Sequence, residues 1–137
     1  MRTNERSVAT RIGWALSLAI LAAGASSMTA CRQSANAETV QMIPGADAQR
    51  GAADIAAIGC GTCHTIPGIA DAEGLVGPPL EHWSRRTYIA GEVPNTPGML
   101  IRWIETPQAI EPGTAMPNLG VTEQRARDMA AYLYTLR

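Results

Sequence analysis

The sequence predicts an all-α domain of three to five short helices, and two features carry that expectation. Three segments place small or apolar residues at helical spacing, and no stretch alternates apolar and polar residues as a half-buried strand would. Thirteen Gly and nine Pro among 137 residues then cut the chain into short elements joined by turns. That length suits one small domain and leaves little room for a second.

Each helix has its own local justification. In the first, Ala48, Gly51, Ala52, Ile55 and Ile58 fall on one face, and their small size permits a close helix crossing. The second starts at Pro97 behind a cap from Asn95 or Thr96, and must stop by Thr106 because Pro107 follows. It carries Met99-Leu100-Ile101 and Trp103-Ile104 as core candidates. Thr122 is the expected cap of the last helix, with Glu123 in its first turn to suit the helix dipole. Ala126, Met129, Ala130, Leu133 and Leu136 then line its buried side. The folded domain is expected to span 46–137.

Composition removes several function classes. Apolar residues make up 46% and charged residues 17%, which excludes a disordered acidic tail. A net charge of −1 offers nothing to a phosphate backbone, so no nucleic-acid partner is expected. There is no Phe and no Lys, all eleven basic residues being Arg. Three Cys are too few for a disulfide scaffold.

Residues 1–30 read as an export segment. Arg2, Arg6 and Arg11 precede the uncharged run Ile12–Ala30, which is followed by Cys31. This pattern resembles a bacterial lipoprotein signal, with Met28-Thr29-Ala30-Cys31 as the lipobox and Cys31 as the lipidated first mature residue. Two alternatives stand beside it: cleavage after Ala35-Asn36-Ala37 to release a soluble periplasmic protein, or retention of Ile12–Ala30 as an uncleaved anchor. All three place the domain on the periplasmic side. Residues 31–45 lack periodicity and read as a flexible tether. From Cys31 onward eight Arg face eleven acids, a formal balance of −3.

The chemistry sits in Cys60-Gly61-Thr62-Cys63-His64. Two thiols separated by two residues can reach the two vinyl groups of one porphyrin, and the next residue directs its imidazole at the iron. This C-x-x-C-H pattern is the attachment site of a single covalent haem c. A thioredoxin-like redox pair would need a βαβ pattern that the flanks lack. A zinc site would need four ligands, and the only other His is His82, which reads as a surface residue. For the sixth iron position, Met99 and Met129 fall on apolar helical faces as core residues. Met116 lies instead in a loop stiffened by Pro112 and Pro117, which suits a thioether held at bonding distance. His64 and Met116 are therefore the candidate metal ligands.

From about Asp47 to Arg137 the sequence resembles a class I monohaem cytochrome c. Four landmarks carry the likeness in order: the Cys60/Cys63/His64 motif; Gly77-Pro78-Pro79-Leu80; Trp103-Ile104-Glu105-Thr106-Pro107 followed by Pro112-Gly113-Thr114-Ala115-Met116; and Asp128-Met129-Ala130-Ala131-Tyr132-Leu133. The resemblance implies the cytochrome c fold, short helices wrapped around the haem. It also implies that the Pro78 carbonyl holds the His64 imidazole, that Arg86 and Tyr88 lie near the haem propionates, and that Trp103 stands behind the Met ligand. Arg86 reads equally as one of a solvated pair with Arg85, and Trp103 or Tyr88 as core packing. The small bacterial members with Met-Pro-Asn-Leu-Gly after the ligand are often associated with terminal oxidases.

The expected function is single-electron transport in a bacterial respiratory chain, from an upstream donor to a terminal oxidase, without catalysis on a small-molecule substrate. A haem subunit fixed to a periplasmic dehydrogenase, or an open-iron peroxidase or gas sensor, are the rival readings. Mitochondrial relatives dock through a ring of Lys that this chain does not have.

Overall fold

A computed structural model describes residues 42–137. The export segment, Cys31, the Ala35-Asn36-Ala37 site and most of the tether lie outside the described residues. Among the described residues no helix is long and apolar enough to cross a membrane.

Three α-helices build the domain: α1 (Ala48–Ile58), α2 (Pro97–Glu105) and α3 (Glu123–Leu133). Short 3-10 turns lie at Cys60–Thr62, Trp83–Arg85 and Pro107–Ala109. Asp47 starts α1 by accepting the amides of Gln49 (2.8 Å) and Arg50 (3.0 Å). Gly59 ends it in the left-handed region at φ 85°, a conformation that costs Gly little. Its amide turns back onto Ala56 and Ile55, and the chain leaves directly into Cys60.

The packed chain begins three residues before the expected Ala46: Ile43 is buried in the core, and the Gly45 carbonyl accepts from Gln124 (3.0 Å). As expected of a face of small residues, α1 crosses α3 at Gly51, where a Cβ would overlap the Asp128 backbone carbonyl. Beside that crossing lies a polar cluster with no sequence counterpart. The Asp128 carboxylate, buried on α3, accepts from the Asp47 amide (2.7 Å), Arg50 Nε (2.9 Å) and Gln124 Nε2 (3.1 Å). Satisfied on all sides, it ties the start of α1 to α3.

Thr96 caps α2, accepting the Met99 amide at 3.4 Å, and Leu100 and Ile104 are buried along its inner face. Asn95 is not the cap: its amide donates to the carbonyls of Trp83 (3.1 Å) and Arg86 (3.0 Å). In α3, Ala126, Met129, Ala130 and Leu133 are buried as expected, while Leu136 lies beyond the helix end and is half-buried. Thr122 occupies the cap position but makes no side-chain cap bond; Glu123, in the first turn, pairs with Arg127 at 2.6 Å.

The expectation of no strands needs one correction. Tyr88–Ile89 (β1) and Val93–Pro94 (β2) pair antiparallel, Tyr88 opposite Pro94 and Ile89 opposite Val93. The chain reverses through Ala90 (φ 54°) and Gly91 (φ 80°). Two residues are too few to show the alternation by which a strand is read from sequence.

Candidate haem site

The turn after α1 sets the two thiols and the imidazole in order. The Cys63 and His64 amides both donate to the Cys60 carbonyl (3.2 and 3.0 Å), closing one tight loop over the motif. Cys60 and Cys63 are free thiols rather than a disulfide, and burial pushes the Cys60 thiol pKa up. Among the described residues no cluster of three or more His, Cys, Asp or Glu could hold a metal ion, so nothing there offers the ligands of a zinc site.

His64 is fixed from two directions. Its Nδ1 lies 2.7 Å from the Pro78 carbonyl oxygen. A carbonyl only accepts, so Nδ1 carries the proton and the Nε2 lone pair is left for a metal. Against the ring face lies Gly77, where a Cβ would overlap His64 Cε1. Backbone bonds from Gly77 to Cys63 (2.7 Å) and from Leu80 to Thr65 (2.8 Å) clamp the two strands of this loop together. The same close packing recurs at Gly61, where a Cβ would stand 2.7 Å from Ala72, and at Gly74, where it would stand 2.5 Å from the Thr62 carbonyl. Small residues here are a requirement of contact, because any side chain would push the motif loop outward.

Met116 is held differently, at both ends of its own peptide units. Its amide donates to Thr114 Oγ1 (3.2 Å), and its carbonyl accepts from Gln108 Nε2 (2.7 Å) in the turn behind buried Pro107. Upstream, Glu111 accepts the Gly113 amide at 2.8 Å.

All eight residues singled out in the sequence come together. Cys60, Cys63, His64, Pro78, Arg86, Tyr88, Trp103 and Met116 line one cavity of about 550 Å³. Its inner walls are apolar, with Ile55, Ile66, Leu100, Ile104 and Leu133 among them. Met129 also lines it as a buried core residue, while His82 is exposed and takes no part.

Sequence reasoning missed Trp83. Its indole is buried in the cavity wall, and Nε1–H has no hydrogen-bond partner. Arg86 stacks over the same ring at 5.0 Å and donates to the Pro79 carbonyl, with no carboxylate partner among the described residues. The only local signal for Trp83 is its place three residues before Arg86. A buried donor without an acceptor beside an unpaired guanidinium indicates that an acidic group belongs between them.

The Cytochrome c family model matches residues 48–137. The chain belongs to the cytochrome c family. No curated protein matches it significantly. Membership carries a covalently attached haem c, bound through Cys60 and Cys63, and the role of electron carrier with redox-protein partners. The site fits that cofactor on its own terms. The cavity is apolar where a porphyrin face would lie and bordered by two thiols, with an imidazole whose free nitrogen is the metal-binding one. At Trp83 and Arg86 it supplies the donors that two propionates require.

Proposed function

We propose that this cytochrome c is a single-electron carrier of a bacterial respiratory chain, held at the periplasmic face and donating to a terminal oxidase, with its iron between His64 and Met116. The observation that carries the ligation is the fixed tautomer of His64, bonded through Nδ1 to Pro78, in the same cavity as a methionine whose main chain is pinned on both sides. The haem supplies a one-electron couple between ferric and ferrous iron.

The chain's own residues do the rest. His64 presents Nε2 at a fixed angle, so its ring has little freedom to lose or regain when charge changes. As a ligand Met116 would offer a neutral, soft sulfur, which would favour the ferrous state and raise the potential. With both residues as ligands, a bound haem would keep no iron position for a substrate, which suits transport over catalysis. Arg86, Trp83 and Tyr88 would hold the acidic edge of the haem, and Trp103 forms part of the cavity wall. The apolar lining excludes water.

The export reading rests on Arg2, Arg6 and Arg11, the uncharged run Ile12–Ala30 and Cys31, with lipidation of Cys31 as its preferred form. The mass of the mature N-terminus tests it: a diacylglyceryl adduct on Cys31 supports the tether, and an N-terminus at Glu38 overturns it. For the ligation, the oxidised spectrum should carry a far-red sulfur-to-iron band, and the reduced protein should not respond to carbon monoxide. Absence of that band together with ready carbon monoxide binding would turn the reading toward a peroxidase or gas sensor.

A further inference from the structure

Glu111 is the one acid among the described residues that lines the haem cavity, and its position there is fixed. Its amide donates to the carbonyl of buried Pro107 (3.0 Å), and its own carbonyl accepts from the Thr114 amide (3.1 Å). The carboxylate Oε1 accepts the Gly113 amide at 2.8 Å, which closes the side chain back onto its own loop. Glu111 is half-buried against mostly apolar walls, so its carboxylate gives up part of its hydration. Asp47, Asp54, Glu123 and Asp128 each meet an arginine, whereas the bond Glu111 makes is to a neutral amide. Arg86, the cation on the same cavity wall, is engaged elsewhere, stacked on Trp83 and donating to the Pro79 carbonyl. A carboxylate pinned at an apolar cavity without a cation of its own is accounted for when positive charge arises inside the cavity.

We propose that Glu111 sets the reduction potential of this cytochrome c, its fixed carboxylate favouring the ferric state and so lowering the potential that the Met116 sulfur would raise. The inference rests on the electron-carrier reading and names the residue that tunes it. Ferric iron carries one more positive charge than ferrous iron, and the porphyrin is the same in both. One electron arriving from a redox partner removes that charge, with no bond made or broken. A negative group on the cavity wall is therefore attracted more strongly to the oxidised form, and that attraction weakens on reduction. Water and salt screen it less than they screen an exposed acid, because the carboxylate is half-buried and held in one place. Thr114 joins the two opposing influences, since its amide donates to the Glu111 carbonyl and its hydroxyl accepts the Met116 amide. One loop thus carries both the sulfur and the charge that offsets it.

The test is a spectroelectrochemical titration of the full-length holoprotein as wild type, Glu111→Gln, Glu111→Ala and Glu92→Gln. Glutamine keeps an oxygen for the Gly113 amide and removes the charge, so it separates electrostatics from the hold on the loop. Glu92 is exposed, does not line the cavity, and gives the same change in net charge. Glu111→Gln should raise the midpoint potential, multiplying the ferrous-to-ferric ratio at a fixed applied potential by about three to ten, where tenfold is about 59 mV for one electron. The far-red sulfur-to-iron band should persist in it. Glu111→Ala should show a rise of the same sign, and Glu92→Gln should match wild type. A potential in Glu111→Gln that is unchanged, lowered or no higher than in Glu92→Gln overturns the proposal. So does a rise confined to Glu111→Ala, which assigns the residue a structural hold on the loop. Loss of the far-red band in Glu111→Gln overturns it too, since the rise would then come from a changed ligand. A wild-type haem that cannot be reduced and reoxidised reversibly overturns the electron-carrier reading itself, an outcome distinct from all of these.

Discussion

The two sides of the haem cavity are built by different means. On the His64 side the ring is wedged between a glycine with no room for a Cβ and a proline carbonyl, inside a loop closed by backbone bonds. On the Met116 side, side chains of Gln108, Thr114 and Glu111 hold the loop, and the residues around it are exposed. Backbone packing has no alternative rotamer, whereas a side-chain hydrogen bond can be exchanged for water. The first side should therefore fail all at once, and the second should loosen by degrees.

The largest effect tests the first side. Gly77→Ala places a methyl group inside the His64 ring, and the loop bonded to Cys63 cannot withdraw. We expect a loss of about 3 kcal/mol or more, in the range of severe overpacking, and little mature holoprotein by haem staining and thermal melting. Normal holoprotein yield would show that the proximal loop is softer than its contacts.

The same side is anchored further back through α1, whose start is tied to Asp128. The Arg50 guanidinium, followed by the Asp47 amide and Gln124, holds the Asp128 carboxyl below its ordinary range against the opposing effect of burial. A lowered folded pKa contributes stability that is present above the usual carboxylate range and lost as pH falls through the folded value. Asp128→Ala should cost about 2 kcal/mol at neutral pH, because buried donors lose their acceptor. Denaturant titrations should show the difference from wild type shrinking as the medium becomes acidic. A gap constant with pH would mean that helix packing, not the ionised carboxylate, carries the anchor.

Gln108→Ala probes the Met116 side and should be milder. Losing the 2.7 Å bond to the Met116 carbonyl should cost about 1 kcal/mol. Its mark should be spectroscopic, with the far-red band giving way to an added ligand such as imidazole at several-fold lower concentration. Haem attachment should stay near wild type. An unchanged competition curve would place the rigidity in Pro112 and Pro117 instead.

What was legible in the sequence follows the same division. Cys60, Cys63 and His64 are local in sequence because one porphyrin must be reached within one turn of chain, and Met116 stood out through its flanking prolines. Capping by Thr96 and the small-residue face of α1 are also local signals. The Asp128 cluster joins residues about eighty positions apart, so neither partner's neighbourhood reveals it. Trp83 has no neighbouring motif to single it out, and only the partnerless indole nitrogen in the folded chain does so. Thr122 satisfied the cap pattern without making the bond, since residue type permits a cap but only geometry makes one.

The smallest effect sharpens the comparison at the seam between the two sides. Asn95 holds the carbonyls of Trp83 and Arg86, and is itself held by the Tyr134 hydroxyl at 2.9 Å. Burial pushes the Tyr134 pKa up to about 12. The unfolded phenol ionises at its ordinary value while the folded one keeps its proton, so this residue's contribution is full below pH 10 and falls as pH rises toward 12. Tyr134→Phe should then be about 0.5 kcal/mol less stable at neutral pH, where it lacks only a neutral hydrogen bond. Above pH 10 the wild-type curve should fall more steeply, and the two should converge and cross. Parallel curves would mean that Tyr134 ionises as freely in the folded protein as in the unfolded one. The seam would then be as open to solvent as the Met116 loop, and the rigid half of the site would end at Leu80.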